Sequence, residues 1–467
     1  MIGRGIGIPF RHGTGGGTSI PPEIKKNIIA WYDPKKQGMT NYDVIESYAD
    51  DFTKWRIEST GVTSTQKKIV IAAGIELKYN VAYKGFGNSI AEFDIKYTGN
   101  AVIRYQYNKE DGTTGIITIN RSGIYHLPAS IKAQKNFGFY CNPQTVTEEA
   151  TIEQLPTSIL KDFSGNKHDA YLYGFKGKLN SGVGVYKIDF SKSQNANAFD
   201  NFERFNNKFI AKGNYNGNWD TFGEYDINGI VKNKVTIKIT GLNNVKDKLA
   251  LEYGYFTTDS KYIKIITLID KDGVYTYDLN DIVIPEGSNI AHTIYNRMYF
   301  GESIINDINL TVEEIPDYPN QLCYDGKSYA VAYDMPILTD YTVIAERTWF
   351  ERQNRACFLS KITTSGTGAF GFEFYNEYNE DTTYSFGRVN NVEQFKDGIT
   401  YQITNSYNGI VKLDYIVNGK DNAELYIGKL RPSERPAFIG CHGTIIVADR
   451  SFTEEEINWL KQNWDKM

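Results

Sequence analysis

This sequence contains few residues of the kinds that build metal centres or disulfide frameworks. Of its 467 residues, four are cysteine, five are histidine and five are methionine. The cysteines, at positions 141, 323, 357 and 441, show no paired spacing and no Cys/His ligand pattern. We therefore interpret them as reduced thiols with a structural role.

Long apolar runs and an excess of positive charge are also missing. No apolar run reaches the roughly 18 residues that a membrane-spanning helix needs. The first residues lack the apolar stretch of a secretory signal, so we expect synthesis in a cytoplasm without export by the general route. A net charge of −5 offers no basic face to nucleic acid or to an anionic membrane. We expect neither of them as a partner.

Catalytic motifs are absent as well. The sequence has no GxSxG, HExxH or Walker pattern. Glycosidases need two facing carboxylates, and the nearest pattern, Glu92-Phe93-Asp94-Ile95-Lys96-Tyr97, lacks the final glutamate. We interpret that segment as a solvated strand face and expect no enzymatic activity. A cleft with two close, facing carboxylates would instead favour an enzyme of polysaccharide breakdown.

Strand-forming and turn-forming residues are abundant. The sequence has 34 tyrosines, 25 phenylalanines and 42 glycines, and its apolar residues alternate in short runs separated by Asn, Asp and Gly. This pattern predicts an all-β protein of about three domains, built as sandwiches. One helix is predicted at the C-terminus, where Thr453 and Glu456 form a capping box and Phe452 packs on Ile457.

Two stretches repeat the same order of features. Each has a pair of strands, then a strand with a Gly-Ile/Val-Tyr turn, then an acidic-apolar strand closed by proline. The turns are at 123–125 and 273–275, and the prolines are Pro156 and Pro316. We predict two related β-sandwich modules, at residues 45–156 and 178–318.

The segments outside these modules carry a series of short motifs. In order they are Trp31 with Asp33, Asp-Phe-Ser-Gly-Asn at 162–166, Asp-Gly at 325–326, Asp-Tyr-Thr at 340–342, and Asp-Arg at 449–450 followed by Thr-Glu-Glu-Glu-Ile at 453–457. The series resembles the laminin-G-like, concanavalin A-like jelly-roll domain. The resemblance implies one such domain from residues 21–44, 157–177 and 319–467, interrupted by the two modules.

The opening peptide, MIGRGIGIPFRHGTGGGT, alternates apolar residues with glycine and arginine before a glycine-rich stretch. It resembles the starts of virion proteins in crAss-like phages of Bacteroides, where it precedes fibre-like or receptor-binding proteins. An exposed apolar peptide can add to the edge of a partner's sheet. The resemblance implies that residues 1–20 are a virion anchor and hinge; the alternative is a disordered tail. The anchoring residues would be Ile2, Arg4, Ile6, Ile8, Phe10 and Arg11.

Two ligand sites are candidates. Asp162, Asn166 and Asp169 offer oxygen ligands on one turn, so calcium is a candidate cofactor, although an Asx-turn explains the same residues. Laminin-G-like domains sometimes bind calcium. Sugar binding needs an exposed aromatic ring beside polar side chains, and Trp219 with Tyr215 and Asp220 has that composition.

Together these features predict a phage virion structural protein, a head or tail fibre or decoration protein. We expect a non-enzymatic homo-oligomer, a trimer or dimer, that contacts other virion proteins through its N-terminal peptide and binds glycans of the host surface or mucus. It would be made in the host cytoplasm and released by lysis. The alternative is a secreted or surface carbohydrate-binding protein of a gut bacterium.

Overall fold

The structure, a computed structural model, covers most of the chain. It describes residues 19–467 apart from 133–134, 178–180, 192–197, 206, 219, 226–233, 244, 279–294, 302–303, 337, 339–340, 352, 354–355, 363–370, 378–379, 386–390, 397–398, 405–423, 431–436 and 451.

β-Strands make up most of the regular structure. In the described residues the helices are α1 (Pro22–Lys25), α2 (Pro34–Gln37) and α3 (Glu454–Asn463), with 3-10 turns at Phe52–Lys54 and Trp464–Lys466. The predicted all-β, sandwich-type fold with a short C-terminal helix is confirmed. Within the described part of the chain, no helix combines the length and apolar character that crossing a bilayer requires.

The strands fall into five runs, which alternate between a main sandwich and two inserted modules. The main sandwich begins with β1 (Ile28–Tyr32). Module 1 follows, with β2 (Val62–Ser64), β3 (Lys68–Ile71), β4 (Glu76–Leu77), β5 (Asn80–Lys84), β6 (Phe93–Thr98), β7 (Ile103–Asn108), β8 (Thr114–Ile119), β9 (Gly123–Leu127), β10 (Phe137–Tyr140), β11 (Gln144–Thr145) and β12 (Ala150–Gln154). The main sandwich resumes with β13 (Ile159–Leu160), β14 (Ala170–Tyr173) and β15 (Gly182–Val185).

Module 2 forms the fourth run, and the main sandwich ends the chain. Module 2 has β16 (Ile188–Asp189), β17 (Phe199–Arg204), β18 (Lys208–Tyr215), β19 (Asp220–Tyr225), β20 (Lys234–Thr240), β21 (Leu249–Phe256), β22 (Tyr262–Ile269), β23 (Gly273–Asp278), β24 (Tyr295–Phe300) and β25 (Ile305–Ile315). The last run is β26 (Asp317–Asp325), β27 (Tyr329–Ala332), β28 (Tyr341–Glu351), β29 (Cys357–Ile362), β30 (Gly371–Glu377), β31 (Glu380–Ser385), β32 (Asn391–Lys396), β33 (Ile399–Thr404), β34 (Leu425–Ile427) and β35 (Ile439–Ala448).

The main sandwich consists of two seven-stranded sheets that enclose one apolar core. One sheet has the order β15-β26-β35-β28-β33-β32, with β1 also paired to β35, and the other has the order β13-β14-β27-β34-β29-β30-β31. β1 and β26 lie end to end along β35, because Trp31 is opposite Ile446 and Cys323 is opposite Cys441. The core between the sheets takes residues from all three segments of the sandwich.

β15 lies within the range 178–318 that the sequence assigned to module 2, but it belongs to a sheet of the main sandwich. Gly182 is opposite Cys323 in β26, and Val183 packs in the main core. The chain therefore leaves the main sandwich after Val185 and returns to it at Asp317. A buried Gly-Val-Gly-Val strand has no polar alternation that could assign it to one domain or the other.

The two modules share the order of one five-stranded sheet and of four strands in the second sheet, to which module 2 adds β16. Module 1 packs the sheet β2-β3-β12-β6-β9 on the sheet β5-β10-β7-β8, and module 2 packs β17-β18-β25-β20-β23 on β16-β19-β24-β21-β22. The repeated turn has the same function in both, since the Tyr125 hydroxyl donates to the Arg121 carbonyl and the Tyr275 hydroxyl to that of Lys271, at 2.8 and 2.7 Å. The sequence repeat therefore corresponds to a repeat in strand pairing.

The outer face of one sheet repeats residue by residue. In module 1, Glu153 lies opposite both Lys68 and Lys96, and Thr151 lies opposite Thr98. Module 2 has the same cross-strand arrangement, with Glu opposite two lysines and Thr opposite Thr, formed by Glu313, Lys208, Lys238, Thr311 and Thr240. This Lys–Glu–Lys and Thr–Thr surface is called the polar face below.

An equivalent side chain on the last strand of each module bonds to the segment where the chain enters that module. In module 1, Gln154 accepts the Asp50 N–H and donates to the Asp50 carbonyl, at 3.2 and 2.8 Å. In module 2, the equivalent Glu314 accepts the N–H groups of Lys187 and Ile188 at 2.8 and 2.9 Å. Each side chain thus joins the last strand of its module to the segment through which the chain enters that module. Because the two ends of each module meet, its insertion adds little loop-closure entropy to the cost of folding the main sandwich.

The C-terminal helix α3 begins as predicted. Thr453 accepts the Glu456 N–H through its hydroxyl, and the Glu456 carboxylate accepts the Thr453 N–H at 2.8 Å. Phe452 and Ile457 are buried in one cluster together with Ile24 of α1. The capping box is therefore confirmed, and α3 joins the two ends of the described chain.

The glutamate that closes module 2 predicts a pH dependence that module 1 lacks. Glu314 is 2% exposed, and burial raises its pKa to about 8 despite the two N–H donors and the nearby Lys187. Its folded-state pKa thus lies above the unfolded value of about 4.3, so the folded protein holds the extra proton. We expect the ionisation of Glu314 to lower the free energy of unfolding as pH rises from about 4.5 to about 8, by up to about 1.4 kcal/mol per pH unit.

Glu314→Gln matches the protonated carboxyl in charge and shape. We expect the Tm of this variant, relative to wild type, to rise by several degrees between pH 5 and 8.5 in calorimetry of the full chain. The reverse change in module 1, Gln154→Glu, should add a pH dependence of the same sign. A Tm difference between Glu314→Gln and wild type that is independent of pH would contradict the argument.

Candidate functional site

The structure describes only some of the residues that the sequence predicted to form sites. The anchoring residues Ile2, Arg4, Ile6, Ile8, Phe10 and Arg11 lie outside the described residues, as does Trp219. Asp220 begins β19, of which the backbone alone is described. The anchor and the Trp219 platform therefore stay predictions.

Tyr215 is not a sugar-contacting residue, and this part of the prediction is wrong. It ends strand β18 rather than lying on a loop, and it is 1% exposed. Its ring packs against Phe199 and Phe300, and its hydroxyl donates to the Phe300 carbonyl at 3.4 Å. Alternate residues of a strand share a face, and Phe209 and Ala211 place that face in the core.

The turn carrying Asp162 connects two segments of the main sandwich. The Asp162 carboxylate accepts four hydrogen bonds: from the Trp31 N–H at 2.9 Å, the Ser164 N–H at 2.8 Å, the Ser164 hydroxyl at 2.7 Å and the His168 N–H at 3.1 Å. Both of its oxygens are therefore occupied by donors from β1 and from its own turn. This is the Asx-turn interpretation of the motif.

Asn166 and Asp169 also serve this turn. Asn166 donates its amide NH₂ to the carbonyls of Ile28 and Ile29 at 3.0 and 3.2 Å, and Asp169 accepts the Asp162 N–H at 2.8 Å. Burial raises the pKa of Asp169. Within the described residues no group of three or more His, Cys, Asp or Glu side chains is arranged to hold a metal. The turn thus binds protein N–H groups where calcium would need free oxygens.

We expect Asp162→Ala to lower the free energy of unfolding by about 2–4 kcal/mol, because four donors would lose one partly buried carboxylate. Asp111→Ala is the matched control, since that exposed Asx-turn serves only Thr113 and should change stability by less than about 0.5 kcal/mol. Urea unfolding measures both. EDTA should leave the wild-type Tm unchanged, whereas a calcium-dependent rise that Asp162→Ala abolishes would favour a cation site.

The structure shows a cleft that the sequence did not predict. It encloses 420 Å³ between the main sandwich and module 1. We call it the tyrosine cleft. One wall is the outer face of β14, β27 and β34, and the other wall is the polar face of module 1. The residues lining it are Lys68, Lys96, Thr98, Glu149, Thr151, Glu153, Tyr173, Tyr329, Val331, Tyr333, Tyr426 and Lys429.

Tyrosine rings form the main-sandwich wall because strand alternation sends them outward. In β27, Ala330 and Ala332 enter the core, which leaves Tyr329 on the opposite face with Val331. Tyr173 stacks on Tyr329 with ring centroids 5.1 Å apart and planes inclined by 12°, and its hydroxyl lies 3.0 Å from that of Tyr333. Burial raises the pKa of the wall tyrosines, so their hydroxyls stay protonated at neutral pH.

Lysines contact both walls of the cleft. Lys96 from module 1 lies 4.7 Å from the centroid of Tyr333 and pairs with Glu424 at 2.6 Å. Lys429 from the main sandwich lies 4.8 Å from the centroid of Tyr329. Cations held over aromatic faces are attracted to the rings and fix their orientation.

Contacts between the two domains fix the width of the cleft at both ends. At one end, the Tyr171 hydroxyl donates to Asp94 at 2.7 Å, so Asp94 is not part of a merely solvated strand face as predicted. At the other end, Glu46 accepts the Gly174 N–H at 2.6 Å and pairs with Lys67. Burial alone would raise the pKa of Glu46, but bonds from Lys67, Tyr48 and Gly174 hold it below the usual value.

The cleft places tyrosine rings and hydroxyls opposite hydroxyl, ammonium and carboxylate groups, with Lys96 and Lys429 lying over the rings of Tyr333 and Tyr329. Among the described lining residues the carboxylates are Glu149, which precedes β12, and Glu153 within β12. The arrangement is therefore suited to recognising a molecule with apolar faces and hydroxyl edges.

A sequence signal for this cleft existed. Tyrosines are two positions apart in Ala-Tyr-Leu-Tyr (170–173) and four apart in Tyr-Ala-Val-Ala-Tyr (329–333), with small or apolar residues between them. Such alternation predicts one aromatic face on each strand. That the two faces lie side by side, and opposite module 1, depends on pairing between distant segments.

Comparison with known proteins identifies no family. No family model matches the chain, and no curated protein matches it significantly. Among solved structures, one of PNGF-II in a C2 space group aligns over 86% of this chain and 85% of that chain, with 8% identity and a TM-score of 0.12. A likeness of that size carries no argument about fold or function.

Proposed function

We propose that this chain is a non-enzymatic adhesion protein of a phage virion, a head or tail fibre or decoration protein that binds glycans. The observation that carries the proposal is the tyrosine cleft, in which an aromatic wall faces a wall of Lys, Glu and Thr. Saccharides have apolar C–H faces and hydroxyl edges, and these two surfaces suit them.

The virion part of the proposal comes from the opening peptide. Residues 1–12 resemble the starts of phage virion proteins, and residues 13–18 supply a glycine-rich hinge. In this proposal the peptide binds another virion protein while the sandwiches project outward. Oligomerisation as a dimer or trimer would raise avidity when each glycan contact is weak.

Glycan binding is tested first on the tyrosine cleft. We expect Tyr329→Ala to weaken binding of the best glycan on an array by about tenfold, because it removes a stacked ring, and Tyr329→Phe to retain most of it. Tyr79→Ala is the control, since Tyr79 is 67% exposed and lies outside the cleft. Equal affinity of all four proteins, measured by titration, would remove the cleft from the proposal.

The anchor is tested by a pull-down of assembled virion or capsid proteins. We expect the full chain to be retained and a chain lacking residues 1–18 to be lost. A full-length variant with Ile6→Asn and Ile8→Asn separates apolar contacts from length and should also be lost. Equal retention of all three would place the anchor elsewhere in the chain.

The alternative is a secreted or surface carbohydrate-binding protein of a gut bacterium. It shares the tyrosine cleft but needs no virion partner. Glycan binding without any retention on virion proteins would favour it.

A further inference from the structure

A second cleft lies where the main sandwich meets module 2. It encloses 460 Å³ between the segment after α2, the chain crossings on either side of module 2, and the turn between β17 and β18. We call it the junction cleft. The tyrosine cleft lies between the main sandwich and a sheet face of module 1, whereas Ser47 and Thr157, where the chain crosses into and out of module 1, line a separate cleft that also includes Tyr42.

The chemistry of the junction cleft differs from that of the tyrosine cleft. Its described lining contains one charged side chain, Lys208, and no carboxylate. Lys208 lies 4.9 Å from the centroid of Phe205. The other polar and aromatic groups are one hydroxyl, three amides and three rings, from Thr40, Asn41, Asn207, Asn320, Tyr42, Tyr186 and Phe205.

Several of these groups are available to a ligand. Tyr42 is 73% exposed, and its hydroxyl makes no hydrogen bond within the described residues. The Asn41 amide oxygen accepts the Val183 N–H at 2.7 Å, which leaves its NH₂ as a donor. The amide NH₂ groups of Asn207 and Asn320 also lack partners in the part of the chain that the structure describes.

The backbone beside the cleft is held in an unusual conformation. Tyr318 and Asn320 both have positive φ angles, 51° and 65°, in strand β26. Left-handed backbone at a residue other than glycine costs energy and persists only where the surrounding structure requires it. Here it accompanies the register shift between Val183 and Val185 in the pairing of β15 with β26, and Pro319 and Asn320 of that stretch line the cleft.

The two clefts also share a duplicated residue. Lys208 lies opposite Glu313 as Lys68 lies opposite Glu153, and each lysine lines the cleft of its own module. The tyrosine cleft is also lined by further lysines and by glutamates. The junction cleft has amides and aromatic rings around its single lysine.

We propose that the junction cleft is a second saccharide site, which binds neutral, hydroxyl-rich oligosaccharides. Amides supply both donors and acceptors for hydroxyl groups, and the exposed ring of Tyr42 supplies a flat face for C–H groups. An anionic ligand would meet one cation, and a cationic ligand would meet no carboxylate among the described lining residues. The inference rests on the glycan-binding function proposed above, but it concerns a different surface.

The test is photo-crosslinking of the full chain with mass-spectrometric mapping. The probes are mannotetraose and galactotetraose carrying a diazirine at the reducing end, together with a uronic acid tetrasaccharide carrying the same group. We expect the neutral probes to label peptides containing residues 40–45 or 205–208. Tyr42→Ala should reduce that labelling about tenfold, Tyr42→Phe should retain most of it, and Tyr79→Ala should leave it unchanged.

The outcomes separate the two proposals. Labelling confined to residues 171–173 and 329–333 would overturn the junction site and leave the proposed function in place. Labelling of the junction that survives Tyr42→Ala, or that is equal with the uronic acid probe, would also overturn it. No labelling of either cleft by any probe, together with an empty glycan array, would overturn both.

Discussion

Each inserted module must return the chain to the place where it left the main sandwich. Contacts at the end of each module meet this constraint, among them those of Gln154 in module 1 and of Glu314 in module 2. Because the crossing segments are tied together, the interrupted sheets can pair as though the chain were continuous. The junction cleft is lined by residues of the module 2 crossing, so its shape depends on these contacts.

The duplicated modules use one surface in two ways. The polar face of module 1 forms a wall of the tyrosine cleft, where it lies opposite a row of tyrosines. The same face in module 2 contributes Lys208 to a cleft of different composition. The closing residues differ too, since Gln154 has an amide and Glu314 has a carboxylate. The two modules thus have similar sheets but different side chains where each meets the main sandwich.

Local signals in the sequence predicted much of the fold. Thr453 and Glu456 are three residues apart and their capping box is formed, while the Gly-Ile/Val-Tyr turns mark equivalent strands in both modules. Site residues were harder to predict, because a strand's two faces cannot be assigned without its partners. Tyr215 was taken for a surface residue and lies in the core, whereas Tyr173 and Tyr329 meet only through pairing of strands more than 150 residues apart. The laminin-G-like resemblance and the virion anchor stay predictions.

The position of β1 has a mechanical consequence. β1 continues from the N-terminal end of the described chain and pairs lengthwise with β35, which also pairs with β26 and β28 in the middle of a sheet. Tension applied at the N-terminus would therefore load several hydrogen bonds of this pairing together, in shear, rather than peeling them one after another. A chain pulled from its N-terminus would thus transmit force to β35, the strand that joins β1, β26 and β28 in one sheet.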